Sequence, residues 1–259
     1  MRLWLLTIDF DALFYYNERM FRAYDKDGDI SYSIGAFPTV ELIKKRKEDL
    51  VAVALASKLK MTDELAEILA DVKDITTVDD RAIARVAKKG NVFMVGAFRK
   101  RYTVFGETAH VALVRPSDDG NLGTIMRTVL GFGLRDLAVI DRRSADVYDP
   151  KTVRASMGAV FSMNVSLYDS WEDYAAAHKE PKYLFMLRPC SRPITSVEKP
   201  DGAYALVFGN EATGLPDEYA AYGTPVIIKH TDMIDSLNLP QAVAIGAYEF
   251  TKKNFTEKA

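Results

Sequence analysis

The sequence has one cysteine, three histidines and almost no net charge: 34 Lys and Arg face 36 Asp and Glu, a balance of −2. A lone Cys190 closes no intramolecular disulfide. With His110, His178 and His230 scattered along the chain, it argues against a disulfide scaffold or a zinc site, so no metal is expected. No run of about 18 apolar residues exists, and no membrane span is expected. The opening Met1-Arg-Leu-Trp-Leu-Leu-Thr-Ile-Asp9 is too short and too soon acidic for a signal peptide, so the default expectation is a cytoplasmic enzyme. Near-neutral charge speaks against a general nucleic-acid binder. Basic clusters at Lys44-Lys-Arg-Lys47, Lys88-Lys89, Arg99-Lys-Arg101 and Arg142-Arg143 can still hold phosphates locally, or be solvated charged faces.

What is present is an ordinary globular composition, 48% apolar and 27% charged over 259 residues. That is enough for one large or two modest domains. Residues 1–34 read as a leader, with a strand over 3–10 and a short helix over 11–24. Asp25-Lys-Asp-Gly-Asp29 imitates a calcium loop, but Ile30 stands where the turn needs Gly and Ala36 where the bidentate carboxylate belongs, so a turn is expected. From 35 to 104, helices over 39–47, 62–70 and 79–88 alternate with strands over 50–56, 75–78 and 92–97. Thr62 is placed to cap the second helix. Beyond the joining segment 100–107, six strands with intervening helices are expected, near 110–114, 137–140, 165–168, 183–187, 204–209 and 226–228. That alternation predicts an α/β unit with a parallel sheet covered on both faces. In it Asn121 is placed to cap a helix that carries Gly123 and, one turn on, Arg127. A Gly inside a helix costs roughly 1 kcal/mol relative to Ala, so close approach to its backbone is expected. Gly131-Phe-Gly133 follows a helix instead of a strand and lacks a third Gly, which excludes a dinucleotide-binding turn.

The chain is organised around Tyr204–Phe250. A short apolar run ends in Gly209, where the backbone can meet a ligand, and Asn210 and Glu211 sit in the turn before Gly214. A second apolar run covers Val226 to Ile228. A helix then opens with Asn238 as a fitting N-cap, Pro240 in its first turn and Gln241 three residues after the cap. Two strand ends and one helix start thus converge with Glu211, Ser236 and Asn238, which reads either as a polar ligand site or as a capped helix after a tight turn.

Gly209-Asn-Glu-Ala-Thr-Gly-Leu215 resembles the second motif of the SpoU/TrmH family of RNA ribose methyltransferases, and Ser236-Leu-Asn238 the third. Asn121-Leu-Gly123 followed by Arg127 resembles the first, and Arg154-Ala-Ser-Met-Gly-Ala159 is similar to a segment between them. The four matches fall in order over residues 108–250. The resemblance implies a methyltransferase domain over 107–259 with a C-terminal trefoil knot (the SPOUT fold). It also implies S-adenosylmethionine as cofactor and a homodimer whose subunits together complete the site. The α/β pattern before it, with Gly35-Ala-Phe-Pro-Thr-Val-Glu-Leu-Ile43 as its best piece, resembles the small RNA-binding domain that precedes catalytic domains of this kind, and gives a first domain over 1–106. Carried over residue by residue, the catalytic positions are Arg127, Asn121, Glu211, Ser236 and Asn238, and the cofactor-binding positions are Gly209, Ile228 and Leu237. The implied reaction is methylation of a ribose 2′-hydroxyl in structured RNA, ribosomal or transfer. A base methyltransferase, or a silent RNA-binding or assembly protein of the same fold, is the alternative. Ile228-Lys229-His230 and Leu239-Pro240 depart from the family's usual residues.

Overall fold

The computed structural model describes residues 20–256 apart from 88, 89 and 142. The expected strand over 3–10, most of the expected helix over 11–24, Arg142 and the Lys88-Lys89 cluster lie outside the described residues. The chain divides into two compact units, Met1–Lys100 and Arg101–Ala259.

The first unit contains β1 (Ile30–Ile34), α1 (Ala36–Arg46), β2 (Leu50–Leu55), α2 (Asp63–Ala70), β3 (Thr76–Val78), α3 (Asp80–Val86) and β4 (Met94–Arg99). They form a sheet in the order β1-β4-β2-β3. Every residue of β2 is buried, as suits a central strand. Thr62 caps α2 by accepting from the Leu65 N–H at 3.2 Å, as its position suggested. Asp25 to Gly28 is a turn, in which Asp25 Oδ1 accepts from the Asp27 N–H at 3.1 Å. Residues 21–24 are irregular, not helix. Strand β1 is absent from the sequence reading, which left Ile30–Ile34 in the leader. Its inward positions include Ser31 and Ser33, both fully buried. Ser33 shares a 2.9 Å hydrogen bond with Thr39 on α1, and Thr39 also donates to the Gly35 carbonyl at 2.8 Å. Satisfied serines let a polar-looking segment lie inside, which a hydrophobic pattern does not reveal.

The second unit contains β5 (His110–Val114), α4 (Asp119–Gly131), β6 (Asp136–Ile140), α5 (Pro150–Ala155), β7 (Asn164–Tyr168), α6 (Trp171–Ala177), β8 (Lys182–Phe185), β9 (Arg192–Pro193), β10 (Ala205–Phe208), β11 (Thr224–Ile227), α7 (Leu239–Thr251) and α8 (Lys253–Thr256). The sheet order is β7-β6-β5-β10-β8-β11-β9, and every neighbouring pair is parallel. All six expected strands are present. The seventh, β9, is a two-residue edge strand, too short to leave a period. Residues 101–106 belong to this unit: Phe105 joins the core and the Thr103 N–H donates to the Val165 carbonyl at 2.8 Å. The boundary therefore falls before Arg101, not after residue 106.

Strands β6 and β10 are buried along their whole length, the signature of a parallel sheet covered on both faces. β5 to β7 run outward to one edge. The chain then crosses to the other half, and β10 inserts beside β5, so the order reverses there. In open α/β sheets, ligands bind beyond the carboxyl ends of the strands at such a reversal. Two glycines set how the helices lie. A Cβ on Gly123 would meet the Thr152 carbonyl oxygen at 2.4 Å, so the expected close approach comes from α5 and not from a ligand. A Cβ on Gly246 would meet the rings of Phe185 and Phe208 at 2.8 and 2.9 Å. Those rings stack 4.2 Å apart beneath α7.

Two of the three scattered histidines meet in space. At the amino ends of the strands, the fully buried His110 and His178 both face Glu180 Oε1, from Nδ1 at 3.2 and 3.0 Å. Their Nε2 atoms pair with the hydroxyls of Tyr174 and Tyr168, each at 2.7 Å. Each ring nitrogen thus has a protein partner. Burial lowers the His110 pKa to about 4, against the raising influence of the Thr108 carbonyl and Glu180.

Candidate functional site

The loop after β10 forms the site's central wall. Gly209 has its Cα so close to the returning chain that a Cβ would lie 2.2 Å from Gly214 C. Gly214 takes a φ of +66°, a conformation that favours Gly. Asn210 closes the loop: its Oδ1 accepts from the N–H groups of Ala212 and Thr213 at 2.9 and 3.3 Å, and its amide donates to the Arg115 carbonyl at 2.8 Å. The glycine that suggested close approach by a ligand is needed first by its own loop.

Glu211 is half-buried and fully engaged. Its Oε2 accepts from the Ser117 N–H at 2.9 Å and the Ser117 hydroxyl at 2.7 Å. Its Oε1 accepts from the Asp118 N–H and the Asn121 amide, each at 3.3 Å. Burial alone would raise its pKa, but the bonds from Ser117 and Asn121 outweigh it and the net shift is downward. An ionised carboxylate with both oxygens occupied is a brace. It ties the loop after β10 to the start of α4 across the sheet reversal. Ser117, the main partner, was not singled out from the sequence, where Pro116 to Gly120 reads only as a polar turn. The cap of α4 is also different: Asp118 accepts from the Asn121 N–H at 2.8 Å, and Asn121 lies within the first turn with its side chain committed to Glu211.

On one side of this wall lies a cleft of about 320 Å³. It is bordered by Phe185 to Arg188 at the end of β8, by residues 208–215, by Val226, Ile228 and His230 at the end of β11, and by Asp235, Ser236, Leu237, Leu239 and Ala242 leading into α7. Of the positions singled out from sequence, Gly209, Glu211, Ile228, Ser236 and Leu237 line it, and Asn121 reaches it through Glu211. Asn238 sits between lining residues as the N-cap of α7 but makes no side-chain capping bond, so the capping box expected with Gln241 is not formed. The two departures fit locally: His230 lines the cleft, Leu239 is a buried part of its wall, and Pro240 occupies the first turn of α7.

Arg127 is elsewhere. It is exposed on α4 and lines a separate hollow with Thr124, Thr128, Gly131, Phe132 and Ala155. The same side of the unit carries apolar groups in solvent. Tyr248 and Phe255 are about half exposed and pack on Phe132 at centroid distances of 5.8 and 6.4 Å.

The cleft's chemistry is mixed. Met186, Leu187, Leu215, Ile228, Leu237 and Leu239 offer an apolar lining, while Arg188, Asp235 and Ser236 offer a cation, an anion and a hydroxyl. Its volume falls in the roughly 300–1,000 Å³ typical of small-molecule sites.

Comparison with known proteins gives a consistent picture. Residues 108–248 match the model described as the SpoU rRNA Methylase family. A Listeria innocua protein named for tRNA (cytidine(34)-2′-O)-methyltransferase activity is 31% identical over 144 residues, which are 54% of this chain and 85% of that one. The 23S rRNA (adenosine(1067)-2′-O)-methyltransferase of Streptomyces laurentii is 28% identical over 148 residues, 53% of this chain and 52% of that one. Among solved structures, an AdoMet-bound rRNA methyltransferase from Sinorhizobium meliloti superposes with a TM-score of 0.75 at 23% identity, covering 87% of this chain and 88% of that one.

Proposed function

The chain belongs to the SpoU rRNA methylase family, and on that premise we propose that it is a cytoplasmic enzyme that methylates a ribose 2′-hydroxyl of structured RNA, ribosomal or transfer, with S-adenosylmethionine as donor. The observation that carries this reading is the convergence of Gly209, Glu211, Ile228, Ser236 and Leu237 on one cleft at the carboxyl ends of a parallel sheet. These residues come from three short segments within residues 209–237, brought together at the ends of the parallel neighbours β10, β8 and β11.

The cleft's donor set fits the cofactor. Apolar walls suit an adenine, main-chain groups at Gly209, Ile228 and Leu237 suit its edge, and Arg188, Asp235 and Ser236 suit a zwitterionic amino-acid tail with a ribose. When bound, S-adenosylmethionine supplies an activated methyl group on a sulfonium. The protein must align a neutral hydroxyl with that methyl and let its proton leave. In this reading Ser236, exposed in the cleft's lining, and the neighbouring exposed Asn238 orient the ribose. A guanidinium stays charged in water, so Arg127 serves better as a holder of phosphate or of developing alkoxide charge than as the base.

Arg127 does not line the cofactor cleft of its own chain, which supports a site completed by a second copy. The exposed Tyr248 and Phe255 beside Phe132, which follows α4, form the face through which we propose that two copies pair. The trefoil knot implied by the family belongs to the same reading, as does RNA capture by the first unit. Incubation with labelled S-adenosylmethionine and total RNA from a strain lacking the enzyme, followed by digestion to nucleosides, tests the reaction. A 2′-O-methylnucleoside is expected. Label in a base would mark a base methyltransferase, and no transfer with no cofactor binding would leave a silent RNA-binding protein.

A further inference from the structure

The wall formed by the loop after β10 has a second side, and we infer that the cleft there seats an unstacked base of the RNA next to the ribose being methylated. This rests on the RNA methyltransferase reading above. The cleft, about 300 Å³, opens at the carboxyl ends of β5, β6 and β7 and shares Asn210, Thr213 and Gly214 with the cofactor cleft.

Three features of its lining point to a ligand. The first is backbone strain. Arg115 and Asp141, the residues that follow β5 and β6, have φ of 53° and 84°, where side chains are seldom found. Such outliers gather at functional sites and persist only where the surroundings enforce them. Here the enforcement is visible: the Arg115 N–H donates to the Ile140 carbonyl and the Asp141 N–H to the Tyr168 carbonyl, each at 2.9 Å. The strain turns both side chains towards each other.

The second is a guanidinium held in a set orientation. Asp141 Oδ2 accepts from Arg115 Nε at 2.9 Å and from Arg143 Nη2 at 2.6 Å, and Oδ1 accepts from Arg143 Nε at 3.0 Å. Yet the side chains of Arg115 and Arg143 remain 48% and 71% exposed. A planar cation fixed at one edge and open on its faces is a stacking platform for a base.

The third is an aromatic side, which Trp171 and Tyr219 give the cleft. Tyr219 packs on Trp171 with centroids 4.6 Å apart.

Charge separates a base from a phosphate. Among the described residues that line the cleft, the charges of Arg115 and Arg143 are offset by those of Asp141 and Asp169. A phosphate pocket would carry net positive charge. A pocket with a flat cation and an aromatic side suits the face of a heterocycle, as single-stranded RNA presents.

Trp171 can report directly, because the chain has two tryptophans and Trp4→Phe leaves it alone. Titration of that variant with hexaadenylate, hexacytidylate and hexauridylate should quench or shift Trp171 emission with at least one of them. In steady-state methylation of total RNA, Arg115→Ala should raise the KM for RNA about tenfold, the scale of one lost stacking contact. Cofactor affinity should hold within a few fold. Arg115→Lys keeps the charge but loses the plane, and should behave like the Ala variant if a base is stacked. Rescue by Lys would mean a phosphate contact and overturn the proposal. Unchanged emission with all three oligonucleotides, or an unchanged KM in a folded Arg115→Ala protein, would also overturn it. The emission measurement needs no methyl transfer, so its failure is distinct from failure of the methyltransferase reading.

Discussion

At the scale of single residues, the motif positions and their roles separate. Glu211 was singled out as catalytic, and the structure shows both its oxygens accepting from Ser117, Asp118 and Asn121, so it braces the loop that lines the cleft. Asn121 is its partner and not the helix cap. The residue types were legible, because a carboxylate and an amide beside glycines mark a polar turn. The pairing was not, since Ser117 and Glu211 lie far apart in the chain and only the β5–β10 register joins them. Arg127 keeps a direct chemical role in the proposed mechanism. Arg127→Ala should leave S-adenosylmethionine affinity within a few fold, since the residue lies outside the cofactor cleft. Methyl transfer should fall roughly a hundredfold or more, the scale of a lost charge-stabilising group. Arg127→Lys should recover little of it, because a point charge cannot reproduce a fork. Calorimetry with single-turnover transfer from labelled cofactor checks both, and near-normal transfer in the Ala variant would remove Arg127 from the mechanism.

At the scale of elements, the strands of the second unit were readable because a strand covered on both faces is a continuous apolar run, as Ala205–Phe208 is. The unread strands are those without such a run: Ile30–Ile34, whose buried serines look polar, and Arg192–Pro193, which has two residues. The loop after β10 changes one expectation. The sequence offered Gly209 as a point where the backbone can meet a ligand. In the structure a side chain there would strike the loop's own backbone at 2.2 Å. Gly209→Ala should therefore lose cofactor affinity and also stability, by about 1–3 kcal/mol for a forced backbone shift. Urea unfolding beside calorimetry measures both, and full stability with lost affinity would restore the simpler account.

At the scale of the whole molecule, we expect a dimer mass by light scattering at micromolar concentrations, and a monomer would require Arg127 to work without a second copy's cleft. Stability should also depend on pH through the buried histidine network. The folded pKa of His110 is lowered to about 4 from 6.5, so the unfolded chain binds a proton that the folded chain refuses between those values. Stability from this source is full above pH 6.5 and is lost as pH falls towards 4, by roughly 3 kcal/mol in all. Glu211 and Glu249, whose pKa values are lowered in the fold, lose their share only below about pH 4.5, near the unfolded value of a Glu. Scanning calorimetry from pH 7.5 to 4.5 isolates the histidine part, and a flat unfolding midpoint there would show that the network titrates otherwise. The sheet order has one more consequence, for how the chain acquires its shape. The centre of the sheet pairs His110 with Ala205, and β10 slots between β8 and β5, the latter made long before it. During synthesis, β5, β6 and β7 leave the ribosome as a half-sheet with an open apolar edge, and that edge waits until Phe208 has been made. Folding of this unit is governed by late, distant pairings and should be slow, with the nascent half-sheet the stage most in need of a chaperone.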